Sequence, residues 1–201
     1  LVNTAFSLEL LQEMKGAGIH WMTHSDISLA EKRAVLERLY DSGCRKIVIG
    51  FESIVPESLY SLERWKYRKL KNYAESIRII QSYGIGVWGT FIVGLDSDDR
   101  SVFQRVVDFT LENHLYGAMI SVPTPFPGSA LFERLNREKR ILTEHWGDYT
   151  LWNVVVRPKN MSVRELEEGF AYTLRQIYSP EASRERMQYF KKIHHSSGGM
   201  E

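Results

Sequence analysis

Apolar residues alternate along the chain between a helical stripe and a short dense run. Leu8, Leu10, Leu11 and Met14 share one helical stripe, which predicts a helix from about Ser7 that ends at Gly16. The run 19–23 (IHWMT) is β-type. Ser28 then opens a helix with Glu31 three residues on, the spacing of a capping box, and Val35, Leu36 and Leu39 form its stripe up to Gly43. The run 46–51 (KIVIGF) is apolar on both faces, as in a central parallel strand covered by helices on at least one side. A long charged connection is expected from Pro56 to Leu70. A helix from about Asn72 to Tyr83 follows, with Ala74, Ile77, Ile80 and Tyr83 inward. Gly86 to Val93 is the next buried strand, closed by Gly94. Asp98 or Ser101 would cap a helix carrying Phe103, Val106, Val107 and Leu111, and residues 117–122 form a fourth strand. This strand runs into a rigid loop, Pro123 to Gly128, with a helix behind it.

Strands thus recur every 28 to 40 residues or so, the length of a βα unit. About four such units predict an α/β fold, either a doubly wound sheet or part of a (β/α) barrel, and periodicity does not choose between them. The repeat stops after about Arg140. Trp146, Tyr149 and Trp152 mark an aromatic-rich linker, and Ser162 with Glu165 forms a second capping box. That box opens a helix carrying Leu166, Phe170, Leu174 and Ile177. The expected organisation is a barrel portion over 1–140, a linker and helical extension over 141–195, and a disordered tail over 196–201.

Composition changes this picture little. Lys and Arg total 26 against 25 Asp and Glu, so nothing favours bulk binding to nucleic acid or an anionic membrane. The basic stretch Arg64, Lys66, Arg68, Lys69 and Lys71 reads as a solvated face rather than a binding patch. The one cysteine, Cys44, allows no intrachain disulfide, structural zinc or iron–sulfur cluster, and fits a reducing, cytoplasmic compartment. It reads as a buried structural thiol. His20 and His24 lie four apart on a β-type run and so form no helical metal pair, and His194-His195 read as tail residues. No apolar run reaches the ~20 residues of a membrane helix. The start, Leu1-Val2-Asn3-Thr4, has neither an initiator Met nor a signal-peptide pattern, which leads us to expect part of something longer. No GxGxxG, P-loop or GxSxG motif occurs.

Ligands of α/β sheets and barrels sit at the carboxyl ends of the strands. Those ends carry Thr23-His24-Ser25-Asp26, then Gly50-Phe51-Glu52-Ser53, then Gly94 to Asp98, then Thr124 to Gly128. If the strands are parallel, all four sets face one mouth. Glycines there admit a ligand to the backbone, and carboxylates accept from hydroxyls such as those of a ribose. Each set taken alone also fits ordinary turn and cap chemistry.

These strand ends resemble a known family. Gly43-Cys44, Ile49 to Ser53, Gly89 to Asp98, Pro125 to Ser129, Trp146 to Tyr149, Arg157-Pro158 and Met161-Ser162 recur in that order. The ordered set is similar to the C-terminal part of radical S-adenosylmethionine (SAM) proteins of the cobalamin-binding type. The resemblance implies a partial (β/α) barrel of TIM type, in which these strands are the third to sixth. It implies SAM and a [4Fe–4S] cluster as cofactors, with cobalamin brought by an N-terminal domain. The chemistry implied is radical attack on an unreactive C–H bond, or radical methylation. By the same likeness Glu52 and Ser53 meet the ribose or aminoacyl end of SAM. Ile92 and Gly94 back the adenine, Asp96 bonds the nucleoside, and Pro125 and Phe126 close the adenine side.

The family's C-x3-C-x2-C cluster motif is not in this sequence, and its fifth-strand G-x-I-x-G-x-x-E pattern is only partly kept, as Thr90, Ile92, Gly94 and Ser97. The resemblance therefore implies a C-terminal portion, inactive alone, and names no catalytic residue in it. The substrate is expected to be a small molecule, and self-association is expected through an exposed barrel edge. The residues leave two alternatives open: an unrelated βα-barrel enzyme, or a non-catalytic fragment or interaction module with the same fold.

Overall fold

The computed structural model describes residues 4–197. Helix α1 (Thr4–Met14) precedes strand β1 (Trp21–Ser25), helix α2 (Arg33–Asp41) and strand β2 (Cys44–Glu52). Helices α3 (Pro56–Leu62), α4 (Arg64–Lys69) and α5 (Tyr73–Ser82) lead to β3 (Gly86–Ile92). Helix α6 (Ser101–Glu112), strand β4 (Gly117–Ser121), helix α7 (Ala130–Arg137), and helices α8 (Val163–Ile177) and α9 (Pro180–Ser197) complete the described chain. The four strands form one parallel sheet in the order β1-β2-β3-β4. Each crossover is helical, as parallel neighbours require. The α/β reading and all four strands stand, with β1 displaced two residues toward the C-terminus of the expected run.

The two faces of the sheet differ. Ile47, Ile49, Phe51, Val87, Phe91, Ala118 and Ile120 belong to one apolar core with Leu36, Leu39, Ile77, Ile80, Val106 and Leu166 of the helices. Phe51 lies at its centre, stacked on Phe91 at 5.4 Å and edge-on to Tyr73 and Phe109. Alternation puts Met22, His24, Val48, Trp88, Thr90 and Met119 on the opposite face. That face is partly open, with Met22 53% and Met119 40% exposed. A second, small cluster (Leu135, Tyr149, Val155 and Val156) lies beside the sheet and is tied by an antiparallel bridge between Ile141 and Val156.

Several local expectations change. Asp26, not Ser28, caps the chain after β1: its carboxylate accepts from the Ser28 N–H and opens a 3-10 turn over Ile27–Glu31. The capping box expected at Ser28 and Glu31 is therefore absent, and α2 starts later, at Arg33. Neither Asp98 nor Ser101 caps α6. Asp99 accepts from the Ser101 N–H, and Asp98 is buried elsewhere. The connection after Pro56 is helical apart from a break at Glu63, because Pro56 supplies a preset first turn and Leu59 is fully buried. In α5, Tyr73 and Gln81 take the inward positions with Ile77 and Ile80, while Ala74 is exposed. Leu10 of α1 is half exposed, and Leu11 is the one buried there. The capping box of Ser162 and Glu165 is formed as expected. Helix α9 continues through Ser196 and Ser197, and the rest of the expected tail lies outside the described residues.

Candidate functional site

Parallel strands place all their carboxyl ends on one edge, and two polar centres occur there. The first is at the end of β2. The sheet register slips between Gly50 and Glu52, and Glu52 takes a φ of 63°. The Ser53 N–H bonds back to the Phe51 carbonyl at 2.8 Å, which closes a γ-turn of the rare positive-φ kind. The Glu52 Oε1 accepts from Lys66 Nζ at 3.0 Å. Lys66 is buried and also donates to Glu63 at 3.0 Å. The expectation of a solvated basic face thus fails at Lys66, whose ammonium is drawn inward by two carboxylates. Gly50 makes this possible, since a Cβ there would meet the Glu52 carboxylate at 2.3 Å. Ser53 is buried, and its hydroxyl oxygen accepts from the Val55 N–H and so shapes the turn into α3.

The second centre is a cavity of about 530 Å³ at the ends of β3 and β4. Ile92, Gly94, Leu95, Asp96 and Ser97 wall one side, and Val122, Pro123, Thr124 and Leu166 contribute to the others. Asp98, buried beneath, shapes the loop by accepting from the N–H groups of Gly94 and Leu95 and from the Ser58 hydroxyl. Asp96 stands at the rim, held by Arg134 at 2.6 Å, Arg140 at 2.8 Å and Lys159 at 3.3 Å. Partial burial alone would raise its pKa, but hydrogen bonds from Arg140, Arg134 and Lys159 outweigh that and hold it down to about 2. Glu138 also pairs with Arg134 and Arg140. The rim therefore holds three cations and two carboxylates, a surplus of one positive charge.

Ile92, Gly94 and Asp96 are thus brought together around one cavity. Glu52 and Ser53 lie at the neighbouring strand end, outside its lining. Pro125 and Phe126 follow the lining residues Pro123 and Thr124, with Phe126 about half exposed. The sequence reading gives no site role to Arg134, Arg140 or Lys159. They lie 38 to 63 residues from Asp96 and join it only when α7 and the segment after it fold across the strand ends.

Residues 129–199 match a family described as Domain of unknown function (DUF4070). Over 183 residues the chain is 32% identical to the bacteriochlorophyllide d C-12(1)-methyltransferase of Chlorobaculum tepidum, covering 91% of this chain and 40% of that protein. It is 25% identical to the hopanoid C-2 methylase of Rhodopseudomonas palustris, over 89% of this chain and 32% of that one. The fold matches the solved structure of the radical SAM methyltransferase TsrM from Kitasatospora setae, with cobalamin and a [4Fe–4S] cluster bound. The TM-score is 0.51 at 16% identity, over 89% of this chain and 36% of TsrM. The chain shares the fold of a radical SAM methyltransferase. It spans two-fifths or less of the length of these relatives.

The cofactors of radical SAM proteins can be tested against the residues present. A [4Fe–4S] cluster does not fit this chain: Cys44 is wholly buried, and among the described residues no three His, Cys, Asp or Glu side chains gather to hold a metal. SAM does fit. The cavity has apolar walls for a nucleobase and an ionised carboxylate at its rim for hydroxyl donors. No helix among the described residues is long and apolar enough to cross a membrane.

Proposed function

We propose that this chain is the SAM-holding portion of a radical SAM methyltransferase or cyclase. The observation that carries the reading is the cavity at the ends of β3 and β4, where Ile92, Gly94 and Asp96 converge. In this reading Ile92 and Gly94 back the adenine, with Pro125 and Phe126 closing over it. Asp96 accepts from the nucleoside, kept ionised and immobile by Arg134, Arg140 and Lys159. Glu52, beside Ser53, accepts from the ribose or the aminoacyl ammonium. Bound SAM would supply a 5′-deoxyadenosyl radical or a methyl group, with the cluster, and cobalamin as in TsrM, held outside this chain.

The sheet is read as strands three to six of a partial TIM-type barrel, with 1–140 its wall and 141–195 an extension across the strand ends. The partly open face bearing Met22, Trp88 and Met119 supports this reading, since a barrel wall has helices on one side and a lumen on the other. Two relatives are named for bacteriochlorophyllide d and a hopanoid, and a small-molecule substrate is carried over from them. A cytoplasmic setting and association through the β1 edge belong to the same reading.

Ser97 tests it, because it is exposed yet borders the cavity. Ser97→Trp in the intact protein fills the cavity mouth without disturbing the core. SAM affinity by calorimetry is expected to fall roughly tenfold or more at an unchanged thermal midpoint, the scale of losing a ligand's contact surface. Unchanged affinity would overturn the assignment.

A further inference from the structure

Glu52 is held in a backbone conformation that works against its own side chain. Glycine adopts a φ near 63° without steric cost, whereas a residue with a Cβ is strained there and persists only when its surroundings enforce it. The enforcing contacts come from Lys66, fourteen residues on, and from the space left at Gly50.

Counting acceptors at this centre shows where capacity is left. Glu63 has both oxygens engaged, Oε1 with Lys66 and Oε2 with the Trp65 indole N–H. Glu52 has Oε1 on Lys66, and among the described residues no hydrogen bond reaches its Oε2. Its side chain is 26% exposed, against 9% for that of Lys66. The Tyr73 hydroxyl donates to the Lys66 carbonyl, so it takes neither carboxylate. Two carboxylates share one ammonium, which leaves the centre one negative charge in surplus.

We propose that Lys66 is a positioning residue. It pins Oε1 of Glu52 and leaves Oε2 as the acceptor offered at the strand end to a hydroxyl or ammonium of SAM. This rests on the reading that Glu52 meets SAM. Without Lys66 nothing holds Oε1, and the Glu52 carboxylate is free to turn away from the strand end. An arginine at the same place keeps the charge and can reach the same oxygen.

The test is SAM affinity of the intact protein by calorimetry, with the thermal midpoint of each variant beside it. Glu52→Gln is expected to weaken binding roughly tenfold, the scale of one charge-assisted hydrogen bond. Lys66→Met is expected to weaken it roughly tenfold, Lys66→Arg to stay within roughly threefold, and the double variant Glu52→Gln/Lys66→Met to be no weaker than either alone, because Lys66 acts through Glu52. Lys66→Met that binds like wild type, while Glu52→Gln is weak, overturns the positioning role. So does a double variant in which the two losses add, which marks a Lys66 that acts apart from Glu52. If Glu52→Gln binds SAM normally, the reading of Glu52 as a SAM ligand fails first. A weak Lys66→Met in that case means Lys66 meets the ligand directly, which also overturns the proposal.

Discussion

Strand β4 ends the sheet, and at Ala118 its outer edge is closed by a single hydroxyl. The Tyr178 hydroxyl accepts from the Ala118 N–H at 3.1 Å and donates to the Ala118 carbonyl at 2.7 Å. Four residues along, the Val122 N–H is taken by the Leu151 carbonyl at 2.9 Å. Tyr178→Phe removes the first clamp and keeps the ring, including its contact with the Arg186 guanidinium at 5.5 Å. Two hydrogen bonds at ~0.5–1.5 kcal/mol each give a loss of ~1–3 kcal/mol. Tyr178 is 42% exposed, so water recovers part of that, and a loss of about 1.5 kcal/mol is expected. Opening free energies differ from place to place in a fold, so the local readout is amide hydrogen exchange. Protection at Ala118 should fall by about tenfold, since ~1.4 kcal/mol is a factor of ten, while protection at Val122 holds. Unchanged exchange at Ala118 would refute the clamp. An equal fall at both amides would refute it too, because the variant would then have loosened the whole sheet.

Two further outcomes follow from the titrating groups. Because Asp96 titrates at about 2 in the folded chain, below its unfolded value, its stabilising contribution is present above pH ~4 and is lost as the pH falls toward ~2. Asp96→Asn should therefore flatten the acid limb of a pH–stability curve by about 1–2 kcal/mol, the shift discounted for partial exposure, and an unchanged acid limb would show the cation clamp to be without weight. Burial pushes the Cys44 thiol up to about 11, against smaller opposing contributions from the Lys46 backbone and from Arg45. Cys44 should consequently resist alkylation at neutral pH until denaturant is added, and rapid labelling of the native protein, followed by mass spectrometry, would contradict that burial.

Strand and helix order was legible along the chain because it depends on short-range periodicity. Runs such as 46–51 and 86–92 are dense enough in apolar residues to be buried strands whatever surrounds them. The box of Ser162 and Glu165 is likewise a local device, complete within four residues. The same logic failed at Ser28, because Asp26 two residues earlier competes for the same N–H and shapes a tighter turn. Strand-end logic also placed Gly94 and Asp96 at the carboxyl edge of the sheet, where the resemblance added Ile92.

Long-range charge pairing was invisible in the same residues. Lys66 stands in a basic stretch that has the composition of a solvated face, and only the bulge at the end of β2 brings Glu52 to it. Asp96 similarly looks like a free acceptor until Arg134 arrives from α7 and Arg140 and Lys159 from the chain beyond it. An ion pair has no sequence period, and its partners are chosen by which chain segments cross in space. Periodic burial thus decides the elements and their order before any contact is known, while the charges at the strand ends acquire their partners, and Asp96 its low pKa, only when the chain has folded.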